Sequence, residues 1–287
     1  MDKYEKIRDL LAELEFPVTN HVSGANSLLR YELLRQSRAE NIGNGNAENP
    51  DRVISALNLA ISGRITPILT GLHEFPVIWY KGDKQTAWGL FQGAGRTVTI
   101  TGARAATGYG EHVTMEIATE LAEHNVTVLT SGSYGIDGMA TRATLAAGGK
   151  TLAVLASGLD RYYPSGHQAL LERVSETPGC AVISPFMPGT PVNRSRFLDR
   201  GKLMAELSKI VVIVEAGPRS GALRVADHAT EIGVAVGAVP GPITSAASTG
   251  ANSLLDGTAF PVQSASAILD RLVYESAPPL AGRAVRS

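Results

Sequence analysis

Hydrophobic and polar positions divide the chain into an amino-terminal part with helical periodicity and a longer part in which strands and helices alternate. Within residues 1–64, apolar side chains recur every three or four positions in three stretches, a spacing typical of short amphipathic helices. A polar, glycine-broken loop at 41–50 separates the second stretch from the third. We therefore predict a small helical domain over residues 1–64, either a contact module or a packing appendage.

From residue 65 to residue 272, short apolar runs alternate with helical patterns. The runs are rich in Val, Ile, Leu and Ala and show little alternation, which is typical of strands covered on both faces. The predicted strands are Thr97–Thr101, Val126–Thr130, Thr151–Ala156, Ala181–Ser184, Ile210–Glu215 and Val234–Val239. The predicted helices are Gly110–Glu123, Ile136–Ala147, His167–Ser175, Arg200–Leu207 and Ser220–Ile232. This order predicts an α/β fold with a doubly wound, mostly parallel sheet and right-handed crossovers.

The segments outside this alternation carry weaker signals. Val77–Tyr80 reads as one more strand, followed by a turn, and residues 84–96 read as a loop. The last residues, 273–287, contain the run Ser276-Ala277-Pro278-Pro279, and we predict a disordered tail there.

Composition narrows the possible classes of protein. The formal net charge of the 287 residues is −1, which argues against a globally basic nucleic-acid binder but allows a local basic groove. The single cysteine, Cys180, excludes an intramolecular disulfide framework and favours a reducing compartment. We expect a cytoplasmic protein without membrane contact, because we find neither a signal peptide nor an apolar run near the ~20 residues of a membrane span.

Glycine-bearing turns follow several predicted strands at the place where a helix then begins. Parallel α/β sheets bind anionic ligands there, because the amide groups and dipole of each helix point to that edge. In the first turn Arg104 follows Gly102, and its guanidinium would clamp a phosphate bidentately or lie as a surface side chain. In the turn 131–137 we predict phosphate contacts from Ser133, Tyr134 and the backbone amides.

The remaining candidates lie in the same turns or in a basic stretch after them. Asp137 would bind a ribose or base edge, or only stabilise its helix through the dipole. Ser220 is a candidate helix cap and equally a candidate phosphate contact. A basic cluster with an aromatic neighbour would track a nucleic-acid backbone and stack a base, or would form a solvated helix start. The cluster comprises Arg194, Arg196, Arg200 and Lys202, with Phe197 among them.

The sequence gives little support for catalysis or for a cofactor. Glu215 is the one carboxylate placed at a strand end for acid–base work, and no His or carboxylate can be paired with it from the sequence. Cysteine pairs, zincin-type histidines and a P-loop signature are all missing from the sequence. We therefore predict no catalytic residue, no metal and no cofactor.

The ordered set of turns resembles the DNA-processing protein A family, also called DprA or Smf. The resemblance covers roughly residues 66–262 and rests on Thr101–Arg104, Ser131–Asp137, Gly148–Leu155, Gly158–Pro164, Pro188–Pro191, Val214–Ala216, Ser220–Leu223, Val239–Pro242 and Ser248–Asn252. It implies an extended Rossmann-like fold, a homodimer, binding of single-stranded DNA, and loading of a RecA-type recombinase during natural transformation. With the turns themselves, it gives a predicted DNA- or phosphate-binding set of Gly102, Arg104, Ser131, Gly132, Ser133, Tyr134, Gly135, Asp137, Arg200, Lys202, Ser220 and Gly221.

One departure from the family pattern supports an alternative. The turn 131–137 is one residue shorter than the family's and lacks its arginine, with Tyr134 nearby instead. The same fold family includes nucleotide-processing enzymes that resemble the LOG group. Under this alternative, Glu215 or Asp137 of the present chain would act on a bound nucleotide. The LOG signature Pro-Gly-Gly-x-Gly-Thr-x-x-Glu is absent from this sequence. A DNA-binding recombination mediator is therefore the first hypothesis, and a nucleotide-processing enzyme is the alternative.

Overall fold

The computed structural model describes residues 2–14, 25–38, 50–70, 72–92 and 96–276. Its strands are β1 (Thr66–Leu69), β2 (Val77–Gly82), β3 (Thr97–Thr101), β4 (Thr127–Thr130), β5 (Thr151–Val154), β6 (Ala181–Ser184), β7 (Ile210–Ile213), β8 (Ala235–Ala238) and β9 (Phe260–Pro261). In the described part of the chain they form one sheet in the order β1-β2-β6-β5-β4-β3-β7-β8-β9. The β1–β2 and β2–β6 pairs are antiparallel, and the other neighbours are parallel. The predicted α/β, mostly parallel Rossmann-like fold is confirmed.

Helices cover both faces of this sheet. They are α1 (Lys3–Glu13), α2 (Ala25–Arg38), α3 (Pro50–Ile61), α4 (Lys84–Gly89), α5 (Gly108–Glu123), α6 (Ile136–Ala146), α7 (Gln168–Glu176), α8 (Arg194–Glu206), α9 (Gly221–Glu231), α10 (Thr249–Leu255) and α11 (Ala265–Ser276). Alternate residues of β7 show the two layers. Ile210 and Val212 join the core under α5, α6 and α11, whereas Val211 and Ile213 join the core under α8 and α9. Burial on both faces explains why the strands read as continuous apolar runs.

The amino-terminal helices share a core with one edge of the sheet. Ile7 of α1, Leu33 of α2 and Leu57 of α3 are fully buried in one cluster that also contains Trp79 of β2. A polar contact adds to this packing, because Arg52 donates to the Thr190 hydroxyl over 3.1 Å. The predicted domain boundary near residue 64 stays a prediction.

Several helix boundaries differ from those that the sequence predicts. Helix α8 begins six residues before the predicted start at Arg200, since the Asn193 side chain caps it by accepting from the Arg196 amide over 2.9 Å. The predicted loop 84–96 contains α4, which Asp83 caps in the same way at 2.7 Å. Helix α11 continues through residue 276, so the first part of the predicted tail is helical, and residues 277–287 lie outside the described residues.

Candidate nucleic-acid interface

A cavity of about 630 Å³ opens at the carboxyl ends of β3, β4 and β7. Strand order reverses between β3 and β7, which makes this the switch point at which doubly wound sheets bind ligands. Of the predicted site residues, its lining includes Gly102, Arg104, Ser131, Ser133, Asp137, Arg200, Ser220 and Gly221. Gly132, Tyr134, Gly135 and Lys202 lie outside the lining. The fold thus brings residues from four separate segments to one opening.

Two glycines allow the turns to approach each other at this edge. A Cβ on Gly102 would lie 2.7 Å from the Glu215 carbonyl oxygen, and that same oxygen accepts from the Ala103 amide over 2.7 Å. Gly135 has φ +70°, and a Cβ there would clash with the Ala103 carbonyl oxygen. The requirement for glycine in these turns is therefore steric as well as conformational.

Asp137 fixes the second turn from inside the protein. Its carboxylate accepts from the Ser131 amide over 2.6 Å and from the Thr101 hydroxyl over 3.0 Å, and the residue is 1% exposed. Burial raises the pKa of Asp137, while the hydrogen bonds from Ser131 and the charge of Arg200 act in the opposite direction. Asp137 therefore ties the ends of β3 and β4 together at the base of the cavity.

Two guanidinium groups pack against the Phe197 ring on the cavity wall. The Arg200 and Arg104 guanidinium carbons lie 5.1 Å and 5.2 Å from the ring centroid. Arg200 also donates to the Ser131 carbonyl oxygen over 3.3 Å, while its buried Nε has no hydrogen-bond partner among the described residues. Burial lowers the pKa of Arg200 to about 10, Asp137 opposes this, and repulsion from Arg104 adds to it. A bound anion would relieve that repulsion and supply acceptors to both groups.

Two further arginines line the cavity that the sequence analysis did not assign to the site. Arg219 precedes α9 and Arg224 lies in its first turn, and both side chains are exposed. Arg224 also approaches Asp227 at 4.0 Å, in a pair exposed enough to contribute little. The lining therefore holds four arginines and one carboxylate. Arg219 belongs to one of the glycine-bearing turns, so the sequence could have identified it as a site residue. Arg224 lies within α9, and its place in the lining follows only from the orientation of that helix.

The amino termini of α6 and α9 point towards the same opening. The Ser220 hydroxyl caps α9 by accepting from the Ala222 amide over 3.3 Å, so the predicted capping role is present in the structure. Ser220, Gly221 and Ala222 also line the cavity. Backbone amides and the positive ends of the helix dipoles thus add to the field of the arginines.

Helix α8 separates the predicted basic cluster into different environments. Arg196 is 7% exposed, donates to the Pro191 carbonyl oxygen, and packs 5.7 Å from the Phe186 ring centroid on a different cavity wall. Lys202 pairs with Glu74 at 3.2 Å. Of the four basic residues in this cluster, Arg200 is the one that lines the cavity at the switch point.

The two carboxylates that the nucleotide-processing alternative requires are engaged in hydrogen bonds within the protein. Glu215 is 1% exposed, and it accepts from the Thr107 amide over 2.9 Å and from the Thr107 hydroxyl over 2.6 Å. It does not line the cavity, and both oxygens of Asp137 are also hydrogen-bonded. Glu215 therefore anchors the β3–α5 loop and presents no carboxylate to a ligand.

The described residues offer neither a metal-binding cluster nor a membrane-spanning helix. In the ranges 2–14, 25–38, 50–70, 72–92 and 96–276, no group of three or more His, Cys, Asp or Glu side chains is arranged to hold a metal ion. None of the helices described there combines the length and the hydropathy needed to cross a bilayer.

Comparison with known proteins agrees with this geometry. A family model described as DNA recombination-mediator protein A matches residues 65–273. The chain is 45% identical over 183 residues to a putative DNA processing protein DprA of Mycobacterium tuberculosis, which is 64% of this chain and 46% of that protein. The chain is 36% identical over 208 residues to protein Smf of Escherichia coli, covering 72% of this chain and 54% of that one. The chain thus spans about half the length of these curated relatives.

Solved structures show the same fold. The X-ray structure of DprA from Streptococcus pneumoniae superposes with a TM-score of 0.66 at 24% identity, covering 94% of this chain and 98% of that chain. DNA processing protein A from Helicobacter pylori, whose structure is described in terms of its single-stranded DNA binding mode, gives 0.65 at 23% identity, covering 74% and 97%. The matched region contains the strands, glycine turns and cavity described above, and the chain belongs to the DNA recombination-mediator protein A (DprA/Smf) family.

Proposed function

We propose that this chain is a non-enzymatic, single-stranded DNA-binding recombination mediator. The observation that carries the proposal is the cavity at the switch point, where Arg104 and Arg200 flank Phe197 and two more arginines complete the lining. Guanidinium groups suit phosphates, and an aromatic ring beside them suits a base. The Helicobacter pylori relative, described as binding single-stranded DNA, supports the same ligand.

A single strand fits this surface better than a duplex. Phe197 lies on the cavity wall beside the cations, and a base reaches such a ring only when it is not stacked in a duplex. The net charge of −1 is compatible with this, because four arginines and one carboxylate line the opening and give it a local positive charge. The nucleotide-processing alternative lacks support, since the carboxylates that would act on a nucleotide are engaged in structural hydrogen bonds.

The proposal is tested by binding of a fluorescent oligothymidylate at several salt concentrations. Because each phosphate contact with a single strand contributes about −0.7 to the slope of log K against log salt, four arginine contacts predict a slope of about −2.8. A duplex of the same length should bind more weakly. Undetectable binding at low salt, or an affinity that does not depend on salt, would overturn the proposal.

A RecA-type recombinase is the proposed protein partner, and DNA uptake by natural transformation is the proposed setting. The family description, DNA recombination-mediator, supports this step. The expected result is faster assembly of the recombinase on strands precoated with single-strand-binding protein. An Arg104→Gln variant should lose that stimulation in proportion to its loss of DNA affinity. An equal stimulation by wild type and variant would refute the link. Because both proposed partners, single-stranded DNA and a recombinase, are found in the cytoplasm, we propose the cytoplasm as the location of the protein.

We further propose that the protein forms a homodimer. Val273 and Tyr274 are adjacent on α11 and are 68% and 57% exposed, which leaves apolar surface that a second copy would cover. Sedimentation should show a dimer in wild type and a shift towards monomer in Val273→Asp. A monomer at all concentrations in wild type would exclude the dimer.

A further inference from the structure

Two exposed tyrosines lie next to the arginine cavity but outside its lining. Tyr134 is 44% exposed and Tyr163 is 42% exposed. Tyr134 belongs to the turn before α6, and Tyr163 to the segment before α7. Aromatic side chains exposed to this degree beside a cationic cavity suggest a ligand with planar rings that continues beyond it.

Tyr163 extends the aromatic surface of the cavity. Its ring centroid lies 5.9 Å from that of Phe197, with the planes inclined at 59°. Phe197 is the ring that Arg104 and Arg200 flank. A base stacked on Tyr163 would therefore be the neighbour of a nucleotide held in the cavity.

Tyr134 contacts the same short segment at Gly166 and His167. Its hydroxyl packs against Gly166, and a Cβ added there would clash with it. Its ring meets the His167 ring at a centroid distance of 4.6 Å and an angle of 73°. Tyr163 begins the segment 163–167 and Tyr134 packs on its last two residues, so both rings adjoin one short stretch of chain beside Phe197.

A buried histidine holds this arrangement in place. His167 is 4% exposed; its Nδ1 donates to the Gly132 carbonyl oxygen at 3.0 Å, and its Nε2 accepts from Arg142 at 3.2 Å. The Tyr134 ring therefore rests on a fixed support. Arg142 is itself exposed, so it adds positive charge close to this stretch.

We propose that Tyr163 and Tyr134 are successive base-stacking positions that guide a single strand out of the arginine cavity along residues 163–167. The inference rests on the proposed function and adds a direction for the strand and two base-stacking side chains to it. The occupant is single-stranded DNA because the tyrosines continue the surface of the phosphate cavity and have a cation beside them. Stacking on tyrosine is tolerant of sequence, so this path favours length over base identity.

The test compares oligothymidylates of about three nucleotides, short enough to occupy the cavity alone, with oligothymidylates of about eight nucleotides, which extend beyond it. With the long strand, Tyr134→Leu and Tyr163→Leu should each weaken binding by about fivefold to a hundredfold, which corresponds to about 1–3 kcal/mol of stacking per base. With the short strand, both variants should match wild type. The salt slope should not change, because no ionic contact is removed. Tyr134→Phe and Tyr163→Phe should retain full affinity.

Two controls separate this inference from the proposed function. Tyr31→Leu alters a tyrosine that is 61% exposed on α2, away from this path, and should leave both affinities unchanged. A 2-aminopurine placed beyond the third nucleotide should be quenched on binding to wild type and less quenched in the leucine variants. Salt-dependent binding that the leucine variants leave intact at both lengths would overturn the stacking path and leave the proposed function standing. Absence of any oligonucleotide binding by wild type would remove both.

Discussion

Replacing Arg104 with glutamine isolates the contribution of one cavity guanidinium. The side chain is exposed and follows the carboxyl end of β3, and its guanidinium packs on Phe197 at 5.2 Å. The same strand supplies a matched control. Arg96 immediately precedes β3 and is also exposed, but it lies at the amino end, on the opposite edge of the sheet from the cavity.

The expected magnitude follows from the loss of one charge-assisted contact. A hydrogen bond to a charged group contributes about 1.5–3 kcal/mol, so Arg104→Gln should weaken binding at low salt by roughly tenfold to a hundredfold. The slope of log K against log salt should become shallower by about 0.7. Arg96→Gln should change neither value, and neither substitution should alter the free energy of unfolding appreciably, because both residues are exposed.

Fluorescence anisotropy with labelled oligothymidylate, repeated at five salt concentrations, measures both quantities for both variants. Circular dichroism during urea titration measures their stability. Equal losses of affinity in the two variants would mean that binding follows overall charge, and the assignment of the cavity would fail. An unchanged slope in Arg104→Gln would remove Arg104 from the phosphate contacts.

Three further predictions concern stability. Burial lowers the pKa of His167, so the folded chain binds a proton at this group less readily than the unfolded chain does. The contribution of this group to stability is therefore complete above about pH 6.5 and is lost as the pH falls below that value. In urea titrations, the free energy of unfolding of His167→Asn should fall less steeply with decreasing pH than that of wild type. Gly102→Ala should cost about 1–3 kcal/mol by urea titration, because its Cβ would lie 2.7 Å from a backbone oxygen of Glu215; wild-type stability would refute the close approach. Thr107→Val removes the 2.6 Å hydrogen bond to buried Glu215 and should cost about 1–3 kcal/mol in calorimetry, with an unchanged salt slope; an altered slope would place Glu215 in the DNA site.

Much of the fold was predictable because its signals are local. The parallel strands are buried on both faces, so their apolar runs identify them, and β3 has the predicted bounds. The start of α8 was missed because its cap, Asn193, follows a stretch with two prolines and a glycine that reads as a loop. Helix α4 was missed because it is only six residues long, which is too short for a helical pattern of apolar residues to show.

The site was predictable only as a set of turns. Sequence spacing groups Arg196 with Arg200, one helical turn apart, yet Arg196 donates to Pro191 and packs on Phe186, whereas Arg200 reaches Ser131. Which of the two arginines faces the cavity depends on the loops that pack against each side of α8. Arg224 was missed because its position depends on the orientation of α9 over the sheet. The direction of a side chain is set by tertiary packing, so the residues next to it in the sequence do not reveal it.

The contacts between the glycine turns also bear on how this site can change over evolutionary time. Gly102 is packed against the Glu215 backbone, and Gly135 against the Ala103 backbone, so a side chain at either glycine would force neighbouring turns apart. Positions whose side chains project outwards, such as Arg219 and Arg224, carry no such constraint. Mutation can therefore alter the charge and the aromatic character of the rim one residue at a time. The backbone cradle beneath it changes only if several turns change together, so ligand preference can drift while the cradle persists.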